Sequence, residues 1–191
     1  LESKKIRQFS LFTSIEGWGS QAEYMRTGLK CPHWERNFIE AINKGFQVNI
    51  MCTFNVLCVA TFQNFLNKVM EWRKQYGKQS LQFDTPYLKE PPHWMLNILP
   101  VQFRKYMDEH VEYMKDNKEW FESVEIAKME RVRDYMYQNP VSEQKIKQGR
   151  RDFYTFFTEN DKRLGTDLLE TFPIYKDFYE YCKGIYENYG N

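Results

Sequence analysis

FQVNIMCTFNVLCVATFQNFLNKVMEWRKQYG, at residues 46–77, is the stretch of sequence that decides the fold. Residues 46–51 alternate between apolar and polar side chains and predict a β-strand, which ends at the polar turn of residues 52–55. Apolar residues then recur at helical spacing over residues 60–76, with Lys and Arg near the end of the predicted helix. Strand, polar turn and helix in this order are typical of α/β proteins.

The same order occurs on both sides of this segment. A strand is predicted at residues 6–14, followed by a glycine-containing turn, a short helix at residues 21–28 and a second helix that opens at Pro32. A third strand at residues 80–83 leads into a loop at residues 84–92, whose prolines forbid regular structure. Strands separated by helices and roughly 30 to 40 residues apart predict a parallel sheet with right-handed crossovers. The loops that leave the carboxyl ends of such strands share one edge, where α/β proteins build ligand sites.

The second half of the chain has a different pattern. Beyond Pro100, apolar residues recur at helical spacing with charged residues between them. A charged helix is predicted at residues 143–159 and a last helix at residues 172–186. We therefore expect an α/β part at residues 1–100 and a mainly helical extension at residues 101–191.

Length and charge exclude several classes of protein. With 191 residues and 42% hydrophobic side chains, the chain can bury a core, and a net charge of +1 creates no field that would attract nucleic acid or an anionic membrane. No apolar stretch is long enough to cross a bilayer, so we expect no membrane partner and a cytoplasmic protein. The chain starts at Leu1 and a strand is predicted almost at once, so we expect it to be the C-terminal part of a longer protein.

The loop after the first predicted strand carries a candidate amino acid site. Thr13, Ser14 and Glu16 lie in this loop, and Arg26 follows about two helical turns later. Hydroxyl and guanidinium groups can bind a carboxylate, while Glu16 can receive an ammonium group or a ribose hydroxyl. On these residues alone, the alternative is a solvated turn capped by Ser14.

Three strand-end motifs resemble those of one enzyme family. TSIEG at residues 13–17, followed by Arg26, resembles the fourth-strand motif of radical S-adenosylmethionine (SAM) enzymes. CTFN at residues 52–55 resembles the end of the fifth strand of these enzymes, and FDTPYL at residues 83–88 resembles the end of the sixth. The tail segments FYTFF (153–157), DKRLGT (161–166) and TFP (171–173) are similar to those of twitch-domain radical SAM proteins of phages and bacteria.

The resemblance implies a fold, a cofactor and a set of site residues. The chain would be the C-terminal part of a partial TIM-like radical SAM barrel, followed by a helical tail. Ser14, Glu16 and Arg26 would hold the methionyl end of SAM. Thr53 and Asn55 would lie near its adenosyl or methionyl part. The substrate, whose identity the motifs leave open, would meet three residues of the last strand-end loop: Asp84, Tyr87 and Lys89.

The resemblance also implies a [4Fe-4S] cluster that this chain does not bind by itself. Radical SAM enzymes hold the cluster through a Cys-x3-Cys-x2-Cys loop after their first strand, and the sequence contains no such triplet. We therefore expect the cluster to be bound by residues outside this chain, in a missing N-terminal part. In the complete enzyme the cluster would reduce SAM to a 5'-deoxyadenosyl radical, which abstracts a substrate hydrogen, with a reductant protein as a further partner. No catalytic residue is assigned within the chain.

We expect the cysteines and the histidines to have structural roles. The four cysteines are expected to be reduced core thiols, and the single tail cysteine, Cys182, argues against an auxiliary cluster. His33 and His110 are expected on helix surfaces, while His93 and Trp94 follow the proline-rich loop at the expected site edge.

A second class of function stays open at this point. The basic residues between 131 and 151 alternate with acidic ones, which favours a solvated helix face, so nucleic acid is not the expected partner. The alternative to the enzyme is a non-catalytic binding module, in which the aromatic helical tail captures a protein or a nucleic acid and the α/β part is a scaffold.

Overall fold

The computed structural model of the chain describes residues 9–188. Three short strands, β1 (Ser10–Ser14), β2 (Gln47–Met51) and β3 (Leu81–Asp84), form its only sheet in this range. Helices separate and follow the strands; they are α1 (Ser20–Met25), α2 (Cys31–Asn43), α3 (Gln63–Tyr76), α4 (Arg104–Asp116), α5 (Ser123–Gln138), α6 (Glu143–Leu164), α7 (Leu168–Thr171) and α8 (Lys176–Glu187). None of the helices between residues 9 and 188 combines the length and the apolar composition that a membrane span requires.

The sheet confirms the predicted α/β class. Its strands lie in the order β1-β2-β3, and both pairs are parallel. The sheet is small and open. The first predicted strand was placed at residues 6–14; its part from residue 10 onward is the observed β1, and residues 6–8 lie outside the described residues.

Helices cover only one face of the sheet. Val48, Ile50, Leu81 and Phe83 are buried on this face, where Phe83 packs against Phe65 of α3 with ring centroids 5.6 Å apart. Successive side chains point to opposite faces, so the other face of the sheet carries Phe12, Asn49 and Gln82. Phe12 is 65% exposed, so this face has no cover within the described part of the chain.

The two outer edges of the sheet differ. In a parallel ladder the backbone groups of alternate residues point to opposite edges, and those of Leu81 and Phe83 point away from β2. The Leu81 carbonyl accepts a hydrogen bond from Arg73 (3.0 Å), and the Phe83 N–H donates one to Glu125 (3.1 Å). Side chains thus close the outer edge of β3.

The outer edge of β1 is open in the part of the chain that the structure describes, as the direction of its backbone groups and their lack of partners show. Ile15 N–H donates to the Met51 carbonyl, so the groups of Ser10, Phe12 and Ser14 point away from β2. Among residues 9–188 these outward groups have no hydrogen-bond partner. An edge of this kind is a template for pairing with a further strand.

The helical part packs onto the α/β part through one continuous core. Helix α6 lies directly on residues 92–98, and Gly149 makes this approach possible: a Cβ atom there would lie 2.7 Å from Ile98 Cγ2 and 2.8 Å from the Pro92 carbonyl oxygen. The division of the chain into two parts at residue 100 stays a prediction. Residues on both sides of it belong to the same apolar core.

Several helix boundaries differ from the predicted ones: the short helix predicted at residues 21–28 ends at Met25, and the helix predicted at residues 60–76 begins at Gln63. The charged helix predicted to end at residue 159 continues to Leu164, where Gly165 adopts a left-handed conformation and ends it. The last helix, predicted from residue 172, begins at Lys176, and residues Pro173–Tyr175 before it form a 3-10 turn.

One histidine was placed wrongly. His33 is exposed as expected, but His110 is 2% exposed, and its Nε2 lies 2.9 Å from the Val59 carbonyl oxygen. His110 shares the buried face of α4 with Met107, Val111 and Met114. Burial lowers the pKa of its imidazole to about 4, so the side chain is neutral at pH 7.

Candidate functional site

A pocket opens where the strands end, at the edge that the sequence predicts. Its volume is about 560 Å³. Four of the residues predicted to bind the cofactor line it: Glu16, Arg26, Thr53 and Asn55. The remaining lining residues are Met25, Thr27, Leu88, Glu90, Pro91 and Trp94.

Glu16 and Arg26 form a two-point ion pair in this pocket. Arg26 Nη2 lies 2.5 Å from Glu16 Oε1, and Arg26 Nε lies 3.1 Å from Glu16 Oε2. The hydrogen bonds to Glu16 raise the pKa of the Arg26 guanidinium. The Glu16 side chain is 8% exposed and that of Arg26 is 44% exposed, so the guanidinium covers the carboxylate and keeps one side open to the pocket.

The local backbone explains how these two residues meet. Gly19 has a φ of 70°, a conformation that glycine adopts easily, and it turns the chain from the strand-end loop into α1. Helix α1 is only six residues long, and Arg26 follows its last residue with an extended backbone. The turn and the short helix return Arg26 to the loop that carries Glu16.

Thr53 and Asn55 come from the loop after β2. Asn55 is 4% exposed, and its amide is engaged within the loop: Oδ1 accepts from Leu57 N (2.9 Å) and Nδ2 donates to the Thr53 carbonyl (3.3 Å). Asn55 therefore fixes the shape of the turn. Its prediction as a cofactor contact stays a prediction, and the turn it organises presents Thr53 to the pocket.

The third wall comes from the loop after β3. This loop continues alongside the turn after β2, since Phe54 N–H donates to the Pro86 carbonyl (2.6 Å) and Leu88 N–H to the Phe54 carbonyl (3.0 Å). Leu88, Pro91 and Trp94 make the wall largely apolar. The sequence marked this loop as rigid and placed Trp94 at the site edge, but it did not identify Leu88 and Pro91 as lining residues.

Ser14 and Asp84 lie on the open face of the sheet instead of in the pocket. Both pair in register with Met51, so they occupy one row across the three strands. Asp84 Oδ1 lies 3.0 Å from Lys128 Nζ of α5. With Phe12, the Asp84–Lys128 pair lines a second cavity of about 190 Å³.

Tyr87 and Lys89 also point away from the pocket that Leu88 lines. The Tyr87 ring packs on Tyr135 with centroids 4.5 Å apart, and Lys89 Nζ lies 5.6 Å and 5.8 Å from the two rings. The contact of Asp84, Tyr87 and Lys89 with a substrate stays a prediction.

The described residues do not supply ligands for an iron-sulfur cluster. All four cysteines are free and buried. Burial raises the pKa of the Cys52 and Cys58 thiols, which opposes the thiolate form that binds metals. Within residues 9–188, no three His, Cys, Asp or Glu side chains are grouped as a metal site would require.

Comparison of the chain with protein-family models, curated proteins and solved structures finds no significant match. The resemblance to radical SAM enzymes therefore rests on the sequence motifs.

Proposed function

We propose that this chain is the C-terminal part of a twitch-domain radical SAM enzyme and that the strand-end pocket binds the amino acid group of SAM. The observation that carries the proposal is the Glu16–Arg26 ion pair, which lies beside Thr53 in one pocket at the carboxyl ends of parallel strands. Ligand sites in α/β folds occupy this edge.

The ion pair suits an amino acid zwitterion. Arg26 uses Nε and Nη2 on Glu16, which leaves the two N–H groups of Nη1 for a carboxylate. Each carboxylate oxygen of Glu16 accepts one hydrogen bond from Arg26 and retains a lone pair that can accept from an ammonium group. The residues present thus fit both charges of the methionyl end of SAM.

The apolar wall suits the remainder of the cofactor. Leu88, Pro91 and Trp94 line the same pocket as the Glu16–Arg26 pair. Apolar and aromatic side chains can pack against a planar base and exclude water from it. The volume of about 560 Å³ is in the range of pockets that bind ligands of this size.

The proposed barrel would continue before β1, and three features of the sheet are compatible with it. Within residues 9–188, helices cover one face of the sheet only, its β3 edge is closed, and its β1 edge is open. If upstream strands pair with β1 and curve over the sheet, the open face becomes the inside of a partial TIM-like barrel. Phe12, Asn49 and Asp84 would then face the interior, where a substrate would lie.

The proposal divides the chemistry between this chain and residues outside it. When bound, the cluster of a radical SAM enzyme supplies the electron that cleaves SAM and starts hydrogen abstraction. The side chains of this chain bind and orient the amino acid group, hold the adenosine against an apolar wall and keep water away from it. A reductant protein, an unknown substrate and a cytoplasmic location, which suits free cysteines, complete the proposal.

Calorimetric titration with S-adenosylhomocysteine tests the proposal without the cluster. This ligand keeps the amino acid group and the adenosine of SAM, and we expect a dissociation constant of about 1 mM or lower. Arg26→Gln should weaken binding at least about tenfold, because a charge-assisted hydrogen bond contributes roughly 1.5–3 kcal/mol. The matched control is Arg36→Gln, at an exposed arginine of α2 that contacts His33, and it should leave the affinity unchanged. Equal affinities of all three proteins would contradict the assignment of Arg26.

The binding-module alternative is favoured by one feature of the tail. Phe156, Tyr181 and Tyr186 are each more than a third exposed on α6 and α8. If this class is correct, S-adenosylhomocysteine will not raise the unfolding temperature of the chain at any concentration, because a ligand stabilises only a folded state that binds it.

A further inference from the structure

Helix α1, which delivers Arg26 to the pocket, is held from outside by the helical part of the chain. The contact is made by Tyr24, two residues before Arg26. Its hydroxyl donates to Asp161 Oδ1 over 2.7 Å, across a sequence separation of 137 residues. Asp161 lies in the last turn of α6 and does not line the pocket.

Asp161 is fixed by more than this one hydrogen bond. The Thr166 hydroxyl donates to Asp161 Oδ1 (2.7 Å), and the Leu168 N–H donates to Asp161 Oδ2 (2.8 Å). A carboxylate that accepts three hydrogen bonds from three different residues has a defined orientation. It is therefore a rigid acceptor for the Tyr24 hydroxyl, whose pKa is raised by burial and by this hydrogen bond.

Aromatic packing connects both Tyr24 and Trp94, a residue of the apolar wall, to helix α6. The Tyr24 ring lies 6.3 Å from the Phe157 ring and 5.4 Å from the Phe172 ring. The Trp94 ring of the apolar wall lies 5.1 Å from the same Phe157 ring. Phe157 of helix α6 thus contacts both Tyr24, two residues before Arg26, and Trp94, which lines the pocket.

Helix α1 needs such support because it is too short to be stable alone. Isolated helices of fewer than about 12 residues are marginal in water, and α1 has six residues and no side-chain cap at its N-terminus. Its conformation, and with it the position of Arg26, depends on tertiary contacts. The Tyr24–Asp161 hydrogen bond is the polar contact of α1 with the helical part, while Gln21 and Glu23 accept hydrogen bonds from Asn64 Nδ2 and Cys31 N–H of the α/β part.

We propose that Tyr24 and Asp161 are positioning residues, through which the helical extension holds Arg26 on Glu16 and sets the affinity of the pocket for an amino acid group. This deepens the proposed function and rests on it for the identity of the ligand. The helical part then contributes to cofactor binding without contacting the cofactor.

Two substitutions test the inference. Asp161→Asn keeps the size of the side chain but removes the carboxylate charge that strengthens the hydrogen bonds from Tyr24, Thr166 and Leu168, and an amide cannot accept from all three donors at once. Tyr24→Phe removes the hydroxyl and keeps the ring, so it remains informative if Asp161→Asn does not fold. Asp177→Asn, at an exposed aspartate in the first turn of α8, is the matched control.

The first measurement is the NMR signal of the Arg26 Nε–H group, which needs no ligand. In the unchanged chain the hydrogen bond to Glu16 should protect this proton from exchange with water. We expect the protection to fall at least about fivefold in Asp161→Asn and Tyr24→Phe, and to persist in Asp177→Asn. A loss of global stability alone, with the chain still folded, would not change it. Unchanged protection in both variants would overturn the inference.

The second measurement is the affinity for S-adenosylhomocysteine. We expect it to weaken about tenfold in Asp161→Asn and less in Tyr24→Phe, with Asp177→Asn unchanged. If the unchanged chain does not bind the compound, the proposed function fails, while the Arg26 signal still decides whether Tyr24 and Asp161 position Arg26. If the compound binds all variants equally, the positioning role is wrong and the proposed function stands.

Discussion

Arg73 and Glu125 form a fully buried ion pair that joins the sheet to the helical part of the protein. Arg73 Nη1 and Nη2 lie 2.9 Å and 2.6 Å from the two carboxylate oxygens, and the two side chains are 0% and 2% exposed. Arg73 also donates to the Trp120 and Leu81 carbonyls, and Glu125 accepts from the Phe83 N–H. The pair therefore replaces a fourth strand at the outer edge of β3.

Glu125→Gln should destabilise the protein strongly. The substitution leaves the Arg73 guanidinium buried without its counter-charge, and removing one partner of a buried pair costs about 3–5 kcal/mol. The free energy of unfolding in urea measures the effect. Glu40→Gln, the same change in the exposed Glu40–Lys44 pair at the end of α2, should leave the free energy of unfolding nearly unchanged. Similar losses in both variants would show that the buried pair has no special role.

Gly149→Ala should destabilise the contact between α6 and residues 92–98. Alanine favours helix, but its Cβ would lie 2.7 Å from Ile98 Cγ2 and 2.8 Å from the Pro92 carbonyl oxygen. Relieving this overlap costs about 1–3 kcal/mol and separates the helix from the loop that carries Trp94. The matched variant is Gly184→Ala in α8, where a Cβ meets no atom within 4 Å. It should be neutral or stabilising by up to about 1 kcal/mol in the same unfolding measurement. A neutral Gly149→Ala would contradict the close approach.

His110 should make the protein less stable in acid. The unfolded chain protonates this histidine below about pH 6.5, whereas the folded protein keeps it neutral down to about pH 4. Between these values the unfolded state binds more protons, so stability is complete above about pH 6.5 and falls as the pH is lowered towards 4. A difference of this size corresponds to roughly 3 kcal/mol.

Unfolding in urea at several pH values checks the prediction for His110. His110→Gln keeps a donor for the Val59 carbonyl and removes the titration, so the slope between pH 4 and 6.5 should flatten. His33→Gln, at an exposed histidine of α2, should leave the slope as it is. If the slope is the same in all three proteins, groups other than His110 cause the acid sensitivity.

The sequence predicts the fold well where its signals are local. Alternation of side chains located β2, the proline-rich loop ended β3, and helical spacing located α6 to within a few residues of its end. Four of the five predicted cofactor residues meet in one pocket, because loops at the ends of parallel strands share an edge. The fifth, Ser14, points to the open face since its register places it in the row of Met51.

The features that sequence reasoning missed depend on distant partners. Arg73 was one of several basic residues near the end of a helix, and its partner Glu125 is 52 residues away. Asp161 and Tyr24 are still further apart. His110 is different, since its spacing from Met107 and Met114 already placed it on the buried face of α4. There the helical period was a better guide than the polarity of the residue.

The measurement that tests the central claim most directly is an NMR titration of methyl-labelled methionines with S-adenosylhomocysteine. Met25 lines the pocket next to Arg26 and Asn55, whereas Met107 and Met136 are buried in the helical part. If the pocket binds the amino acid group of SAM, the Met25 signal will shift and saturate while the Met107 and Met136 signals stay in place. A Met25 signal that does not move at ligand concentrations up to about 10 mM would contradict SAM binding at this site.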